Sequence, residues 1–473
     1  MTAHQPALGT AIVIGASICG SSVTQLLASR FDRVVVLDRD QLPTERAPRK
    51  GVPHATQFHT LTVGGGQVLD EIFPGFLSDL IDTYGTPVSD PTYDTRYASK
   101  FGWFPRKRSG LRMVQPTRRL IEWYIRGRAA GHANVEFRPQ IEVVGLDVDG
   151  GRVRGVHVRD VRTKTMDTLA ADLVVDAGGR PSNAPEWLAT AGYPRPAETV
   201  VNAHWGYATT YVRLPDDWDP GWKSLYMGPT ISGEGPAATR GAAMWPQEDH
   251  LMVITAQGTA GDLPPGDLDS LLEWLQSFGT TEFADMIRRY GAVRPVEAWR
   301  NTTNRLRDYA GVESRPEGFV VLGDAAAAFN PIYGQGMTLA AMSARLLATE
   351  LDTFVKEHDD DLQGFAEAFQ HALGAVLAPI WSFSTSSDFN IPGVEVDGVP
   401  LEGGKDPAAE YGDRVLALAT EDPVIHRTFM ESVGLVRTFE WLADPELQAR
   451  VRADWDRLGS LRRGAEPAFT PDA

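Results

Sequence analysis

Residues 10–38 read TAIVIGASICGSSVTQLLASRFDRVVVLD, and the order of their short apolar run, small-residue turn, mixed stretch and second apolar run decides the fold. Thr10–Ile14 is brief and uniformly apolar, which predicts a strand buried on both faces. Gly15-Ala16-Ser17-Ile18-Cys19-Gly20 predicts a turn, Ser21–Ser29 a helix, and Arg33–Leu37 the next strand, which ends on Asp38. Such a unit brings a helix N-terminus and bare backbone to the carboxyl edge of a parallel sheet. Free N–H groups there suit a pyrophosphate, and an acid closing the second strand suits a ribose hydroxyl. The turn therefore nominates Gly15, Ser17, Ile18, Cys19 and Gly20 as dinucleotide contacts, with Asp38 and Arg39 at the ribose end. Ser17 stands where the fingerprint has its middle glycine, so the match is partial. Cys19 is explained as a small residue packing helix against strand rather than as a redox group.

This unit opens a chain of 473 residues, enough for two or three packed bodies, with 42% hydrophobic and 23% charged residues as in ordinary globular proteins. A net charge of −17 argues against a nucleic-acid partner and against an anionic membrane surface. One cysteine excludes an intramolecular disulfide and a cysteine metal cluster. The start MTAHQPALGT lacks the basic and apolar regions of a secretory signal, and the run Phe319–Leu351 is interrupted by Asp324 and Asn330. The expectation is a cytoplasmic protein without stable membrane insertion.

Further along, helices are predicted near Leu61–Phe73 and Pro116–Gly131, and Gly150-Gly151 turns a hairpin between Ile141–Asp149 and Arg152–Val161. Asp172–Asp176 is another buried strand. From about Pro181 to Arg300 longer alternating runs, such as Trp205–Leu214 and Ala242–Ala256, predict an antiparallel sheet with one face against a pocket. Trp205, Tyr207, Trp245 and Trp299 fall in this region, where aromatics suit an apolar pocket, and Trp205, Tyr207 and Trp245 are its candidate substrate contacts. The basic stretch Arg106-Lys107-Arg108 with Arg112 is read as a solvated loop. Gly318–Leu322 is a short strand, a helix runs from Gly334 to about Val355, and the last hundred or so residues form helices separated by a loop at Ile391–Asp406.

The second decisive stretch is Gly318–Met337, GFVVLGDAAAAFNPIYGQGM. Gly323 and Asp324 follow an apolar strand, where open α/β sheets place ligand contacts. Gly334-Gln335-Gly336-Met337 then opens a helix whose N–H groups can face a developing anion. A reduced flavin carries negative charge at its N1/C2=O edge, whereas a nicotinamide dehydrogenase has no need of this second site.

Together with Asp172–Ser182 (DLVVDAGGRPS) and the helix start Thr117–Glu122 (TRRLIE), these motifs resemble the class A flavoprotein monooxygenases, whose wider relatives share the p-hydroxybenzoate hydroxylase and squalene epoxidase fold. The resemblance spans about Ala11 to Leu351. It implies an α/β protein with a Rossmann-type FAD domain, a mixed or antiparallel-sheet substrate domain and a helical C-terminal region. The implied division is 1–75, 105–180 and 301–360 for FAD, 76–104 and 181–300 for substrate, and 361–473 for the helices. Carried onto matching positions, it implies FAD contacts at Arg118, Asp176, Gly178, Gly323, Asp324, Pro331, Gly334, Gly336 and Met337. Lys50-Gly51-Val52-Pro53 followed by His59, with the NPIYGQGM run, is similar to the bacterial polyether-ionophore epoxidases, and His59 joins the flavin candidates. Asp176-Ala177-Gly178-Gly179 and His54-Ala55-Thr56-Gln57-Phe58 are its departures from those relatives.

The implied reaction is reduction of FAD by NADPH, NADH or a partner flavin reductase, then use of O2 through a C4a-hydroperoxide to epoxidise a lipophilic polyketide or polyene. An aromatic hydroxylase, a flavin-linked reductase or desaturase of prenyl chains, and a non-enzymatic FAD scaffold remain alternatives. A flavin halogenase would call for a Trp-x-Trp-x-Ile-Pro segment, which is absent. No metal-ligand spacing, Gly-x-Ser-x-Gly elbow or dedicated general base stands out, so no catalytic side chain is nominated and the chemistry falls to the cofactor.

Overall fold

The computed structural model describes residues 8–231, 234–397, 399–400 and 407–469. Its central element is a five-stranded sheet in the order Phe319–Val321, Leu173–Asp176, Leu8–Ile14, Phe31–Asp38 and Val135–Pro139, every pair parallel. Ala11, Ile12, Val13, Val34, Leu173, Val174 and Val320 are wholly buried, as strands covered on both faces require. The predicted first strand, turn, helix and second strand all form, with the helix at Ile18–Leu27. Helix Gly336–Glu357 packs on that helix and on Val63–Ile72, so the two predicted glycine-led helix starts lie in one layer.

The turn after the first strand leaves no room for side chains. Gly15 has φ +97°, and a Cβ there would lie 2.6 Å from the carbonyl oxygen of Ala177. A Cβ on Gly20 would lie 1.8 Å from the carbonyl oxygen of Gly15. Helix and strand therefore touch backbone to backbone.

Among the described residues four further sheets complete the architecture, the smallest being the antiparallel pair Val88–Ser89 and Met113–Val114. The predicted hairpin forms as Ile141–Asp149 and Arg152–Asp160, joined by a third strand, Met166–Ala170, that the largely polar sequence there did not announce. A six-stranded sheet runs Glu297–Trp299, Gly206–Arg213, Leu251–Gly258, Arg240–Gln247, Ser224–Met227 and Thr95–Ala98, antiparallel except for its last pair. The stretch Ala242–Ala256, expected to be one strand, is instead a hairpin. Asp249 and His250 take φ of 62° and 56° at its turn, a left-handed conformation that short polar side chains tolerate. A five-stranded sheet orders Ala327–Ala328, Asn304–Asp308, Ala197–Asn202, Glu395–Val396 and Val399–Pro400.

The C-terminal helices are Phe365–Phe389, Pro407–Ala419, Pro423–Val433, Pro445–Ala453 and Trp455–Ser460. Part of the expected Ile391–Asp406 loop lies outside the described residues. Among the described residues, no helix is long and apolar enough to cross a membrane.

Two glycine substitutions test the close approach by opposite outcomes. Gly20→Ala forces a backbone clash and is expected to cost about 2 kcal/mol or more. Gly127 lies exposed within helix Arg118–Ala129 with nothing within 4 Å of an added Cβ. Gly127→Ala should therefore stabilise by about 0.5–1 kcal/mol. Urea titrations compare the two, and equal midpoints would show that the turn is not constrained as described.

Candidate functional site

The carboxyl edge of the parallel sheet gathers most of the nominated residues. Asp38, 6% exposed, accepts from the Ala16 amide at 2.9 Å and from the Asp40 amide at 2.9 Å. Arg49 reaches the same carboxylate through Nη1 at 3.0 Å, Asp40 at 2.9 Å and, through Nε, Glu122 at 2.6 Å. Ser17 donates from Oγ to Glu122 Oε2 at 3.2 Å and accepts from Arg118 Nη2 at 3.2 Å. The serine in the fingerprint's middle position thus ties the turn to the helix beginning at Arg118. That helix is capped by Thr117, whose side chain accepts from the Leu120 amide.

Arg118 is mostly enclosed, and its Nε has no hydrogen-bond partner; the nearest carboxylate oxygen, on Glu122, is 3.9 Å from it. Burial pulls this guanidinium below its ordinary pKa, against the pull of Glu122 and Asp324. Helices Ile18–Leu27 and Gly336–Glu357 both begin without a side-chain cap. Uncapped N–H groups beside an under-compensated buried cation make this edge receptive to an anion.

Asp324 faces the start of the second of these helices, since a Cβ on Gly336 would lie 4.0 Å from its Oδ1. Burial raises its carboxyl above the usual range, opposed by Arg180, Arg118 and Arg305. Gly323 has φ +60° and backs onto Cys19, whose Sγ lies 2.8 Å from where a Cβ would sit. Cys19 is therefore a packing residue, and burial pushes its thiol up. Gly334 takes φ +68° before the helix, Met337 is buried, and Pro331 is exposed. Asp176 spends itself on its own turn, accepting from the Gly178 amide at 2.8 Å and from the Ser182 hydroxyl. Ile18 is buried under the turn, while Arg39 is exposed and stands apart from the cluster.

Two imidazoles complete this edge. His59 Nδ1 donates to the Gln57 carbonyl at 2.9 Å. The His54 ring lies 5.4 Å from His59 and 5.3 Å from the Trp299 ring, centroid to centroid. Burial, then Arg118, hold His59 down to about 3; burial, Arg118, His59 and Arg180 hold His54 down to about 2. Both are neutral at physiological pH. Tyr207, buried, shares the field of Arg180 and Arg118.

An aromatic path leads away from His59. Phe58 stacks on Trp245 at 5.2 Å, Trp245 meets Tyr226 at 6.4 Å, Tyr226 meets Tyr97 at 4.5 Å, Tyr97 meets Phe104 at 4.9 Å, and Phe104 stacks on His426 at 4.4 Å. Trp205 is not on this path. It packs with Val201, Ala203, Ile391 and Val394, and its indole N–H is bound to Asp388 at 3.0 Å. Arg106 donates to the carbonyls of Tyr93 and Gly221, whereas Lys107, Arg108 and Arg112 are exposed.

Arg49, Glu122, Arg180 and His54 belong to this constellation without having been singled out in the sequence. Glu122 was legible in principle, one turn from Arg118 on the same helix face. Arg49 and Arg180 sit in Pro- and Gly-rich loops, where no periodicity marks them.

The profile of a protein family described as FAD binding domain matches residues 9–364. Protein Rv3254 of Mycobacterium tuberculosis is 30% identical over 442 residues, covering 90% of this chain and 89% of its own. Two solved structures share the fold. One is the flavin-dependent brominase Bmp2, at TM-score 0.63 and 14% identity over 94% of this chain and 98% of its own. The other is PqsL of Pseudomonas aeruginosa, described as "a probable FAD-dependent monooxygenase", at TM-score 0.60 and 16% identity over 81% and 96%.

The neutral histidines give a pH signature. Their folded pKa values lie below the unfolded value of about 6.5, so on acidification the unfolded chain takes up protons first. Stability is therefore present above about pH 6.5 and is lost as pH falls toward the folded values near 3 and 2. Each such histidine contributes a slope of up to about 1.4 kcal/mol per pH unit. His59→Gln should flatten the fall between pH 7 and pH 5 in urea titrations, relative to wild type. Parallel slopes for the two proteins would contradict the neutral assignment.

Proposed function

This chain belongs to the FAD binding domain family, and on that premise we propose that it is an FAD-dependent monooxygenase passing one oxygen atom of O2 to a carbon–carbon double bond of a lipophilic polyketide or polyene. The observation that carries the substrate reading is the run of rings from Phe58 through Trp245, Tyr226, Tyr97 and Phe104 to His426, which starts beside His59. Such a wall offers apolar area and π faces, and the histidine at its end is held neutral by burial, near 4.

The residues at the sheet edge fit FAD. Gly15 and Gly20 admit close backbone approach, the uncapped helix at Ile18 offers amides to a pyrophosphate, and Arg118 has an unpaired buried Nε. Asp38 would take a ribose hydroxyl, and Asp324 with the helix start at Gly336 would face the ribityl and flavin end. When bound, FAD would accept two electrons from NADPH, NADH or a partner reductase and use them to activate O2, one oxygen atom going to the substrate and the other leaving as water.

The chain's own residues supply position and electrostatics. The Gly336 helix start and Arg118 favour negative charge on the cofactor. Neutral His54 and His59 add no charge of their own at physiological pH. The aromatic path excludes water, which protects a reactive oxygen donor from wasteful decay. An alkene has no proton to surrender, so a site without a dedicated base is adequate, whereas a phenol gains from deprotonation.

The purified protein should be yellow and release intact FAD on acid treatment. Asp38→Ala and Asp324→Ala should each weaken FAD binding about ten- to a hundred-fold, as loss of a hydrogen bond involving a charged partner implies. Titration of apoprotein with FAD measures this, and unaltered dissociation constants in both would remove these residues from the site. Incubation with NADPH, a flavin reductase and a panel of phenols, a prenyl chain and a polyene polyketide tests the reaction by product mass. Exclusive ring hydroxylation would overturn the epoxidase reading.

A further inference from the structure

The carboxylate that accepts from Trp205 is wholly buried and has no part in the FAD site described above. Asp388, 0% exposed, sits at the C-terminal end of helix Phe365–Phe389. Its Oδ1 accepts from the Trp205 indole at 3.0 Å and the Tyr333 hydroxyl at 2.6 Å, and its Oδ2 from Asn304 Nδ2 at 2.6 Å and Asn330 Nδ2 at 3.2 Å. All four donors are neutral groups. A buried carboxylate satisfied only by neutral donors is costly relative to an apolar packing residue, so its placement calls for a reason. Burial raises its carboxyl above the usual range, while the four donors pull the other way.

The donors show what it joins. Trp205 directly precedes strand Gly206–Arg213 of the six-stranded sheet, and Asn304 begins strand Asn304–Asp308 of the five-stranded sheet. Asn330 and Tyr333 belong to the short segment between Asp324 and helix Gly336–Glu357. The segment is fastened at two more points: Asn304 Oδ1 accepts from the Asn330 amide at 2.7 Å, and Asn330 Oδ1 accepts from the Ile332 amide at 3.2 Å. It then turns through Gly334 into the helix. The helix start therefore takes its position from a connection whose side-chain anchors converge on one carboxylate.

We propose that Asp388 is a positioning residue for the flavin: through Asn330 and Tyr333 it holds the Pro331–Tyr333 turn, and with it the N-terminus of helix Gly336–Glu357, against the edge of the ring that becomes negative on reduction. The inference rests on the FAD reading above. Loosening the anchor would move the helix amides away from the ring, which costs the anionic reduced form more than the neutral oxidised form and so lowers the midpoint potential.

The test uses holoprotein carrying Asp388→Asn or Tyr333→Phe, with the two-electron midpoint potential and the unfolding temperature measured on each. Asp388→Asn replaces an acceptor with an amide facing donors. Tyr333→Phe removes one hydroxyl and carries the test if the first variant does not fold. The reduced flavin should lose about tenfold in affinity relative to the oxidised form, a fall of about 30 mV, in at least Tyr333→Phe. A lowered unfolding temperature with an unmoved potential would make Asp388 a structural anchor only and overturn the proposal. A wild-type protein that takes up no FAD would instead defeat the functional reading on which the proposal stands.

Discussion

Glycine at position 15 lets the first turn of the parallel sheet meet the turn at Ala177 backbone to backbone, and glycine at position 20 lets the helix that follows close onto Gly15. The Ala177 amide donates to the Ile14 carbonyl at 3.0 Å, and the Leu322 amide to the Asp176 carbonyl at 3.1 Å, so the turns after three neighbouring strands are laced together. Gly323 closes over Cys19 in the same layer. Asp176 ends one of these strands and Asp324 follows another, while Asp38 is tied to the first turn by the hydrogen bond it accepts from the Ala16 amide. A chain with alanine at position 15 would have to part the first turn from that of Ala177, since its Cβ would lie 2.6 Å from the Ala177 carbonyl oxygen.

Beneath that edge lies a concentration of charge that hydrophobic packing alone would disfavour. Arg49 is surrounded by Asp38, Asp40 and Glu122, with side-chain exposures of 7–8% throughout. Removing a partner from such a buried set is far more damaging than replacing the set, because a naked charge is left behind. Asp38 and Asp40 are satisfied by backbone amides as well as by Arg49. Arg118, one helical turn before Glu122, keeps its Nε unmatched. The cluster therefore holds its acids matched and leaves one buried arginine nitrogen unmatched.

Much of this was legible in the sequence because it is local. The strand, turn, helix and strand of residues 10–38 and the glycine–aspartate stretch at 318–337 each carry their own periodicity and turn chemistry, and both folded where expected. The hairpin at Gly150-Gly151 was equally readable from its turn. What escaped is long-range. Arg49 meets Glu122 across 73 residues of chain, and Asp388 meets Trp205 across 183, with nothing in either neighbourhood to announce the partner. The hairpin within 242–256 was missed because Asp249-His250 is an unusual turn pair, polar but without glycine. The aromatic path was only partly visible: Trp245 lies on it, while Trp205 serves as an anchor in a different apolar cluster.

The single cysteine gives the first turn its own clock. Cys19 is 8% exposed, packed under Gly323, with a thiol that burial keeps protonated. Thiol reagents attack the thiolate, and they need space to do so. Alkylation must therefore wait for the helix start to lift away from the neighbouring turn, a local opening distinct from global unfolding. The rate of labelling at that one sulfur counts such openings. A molecule seated on the turn's amides would slow the clock in proportion to its occupancy, without any need for it to be coloured or to turn over.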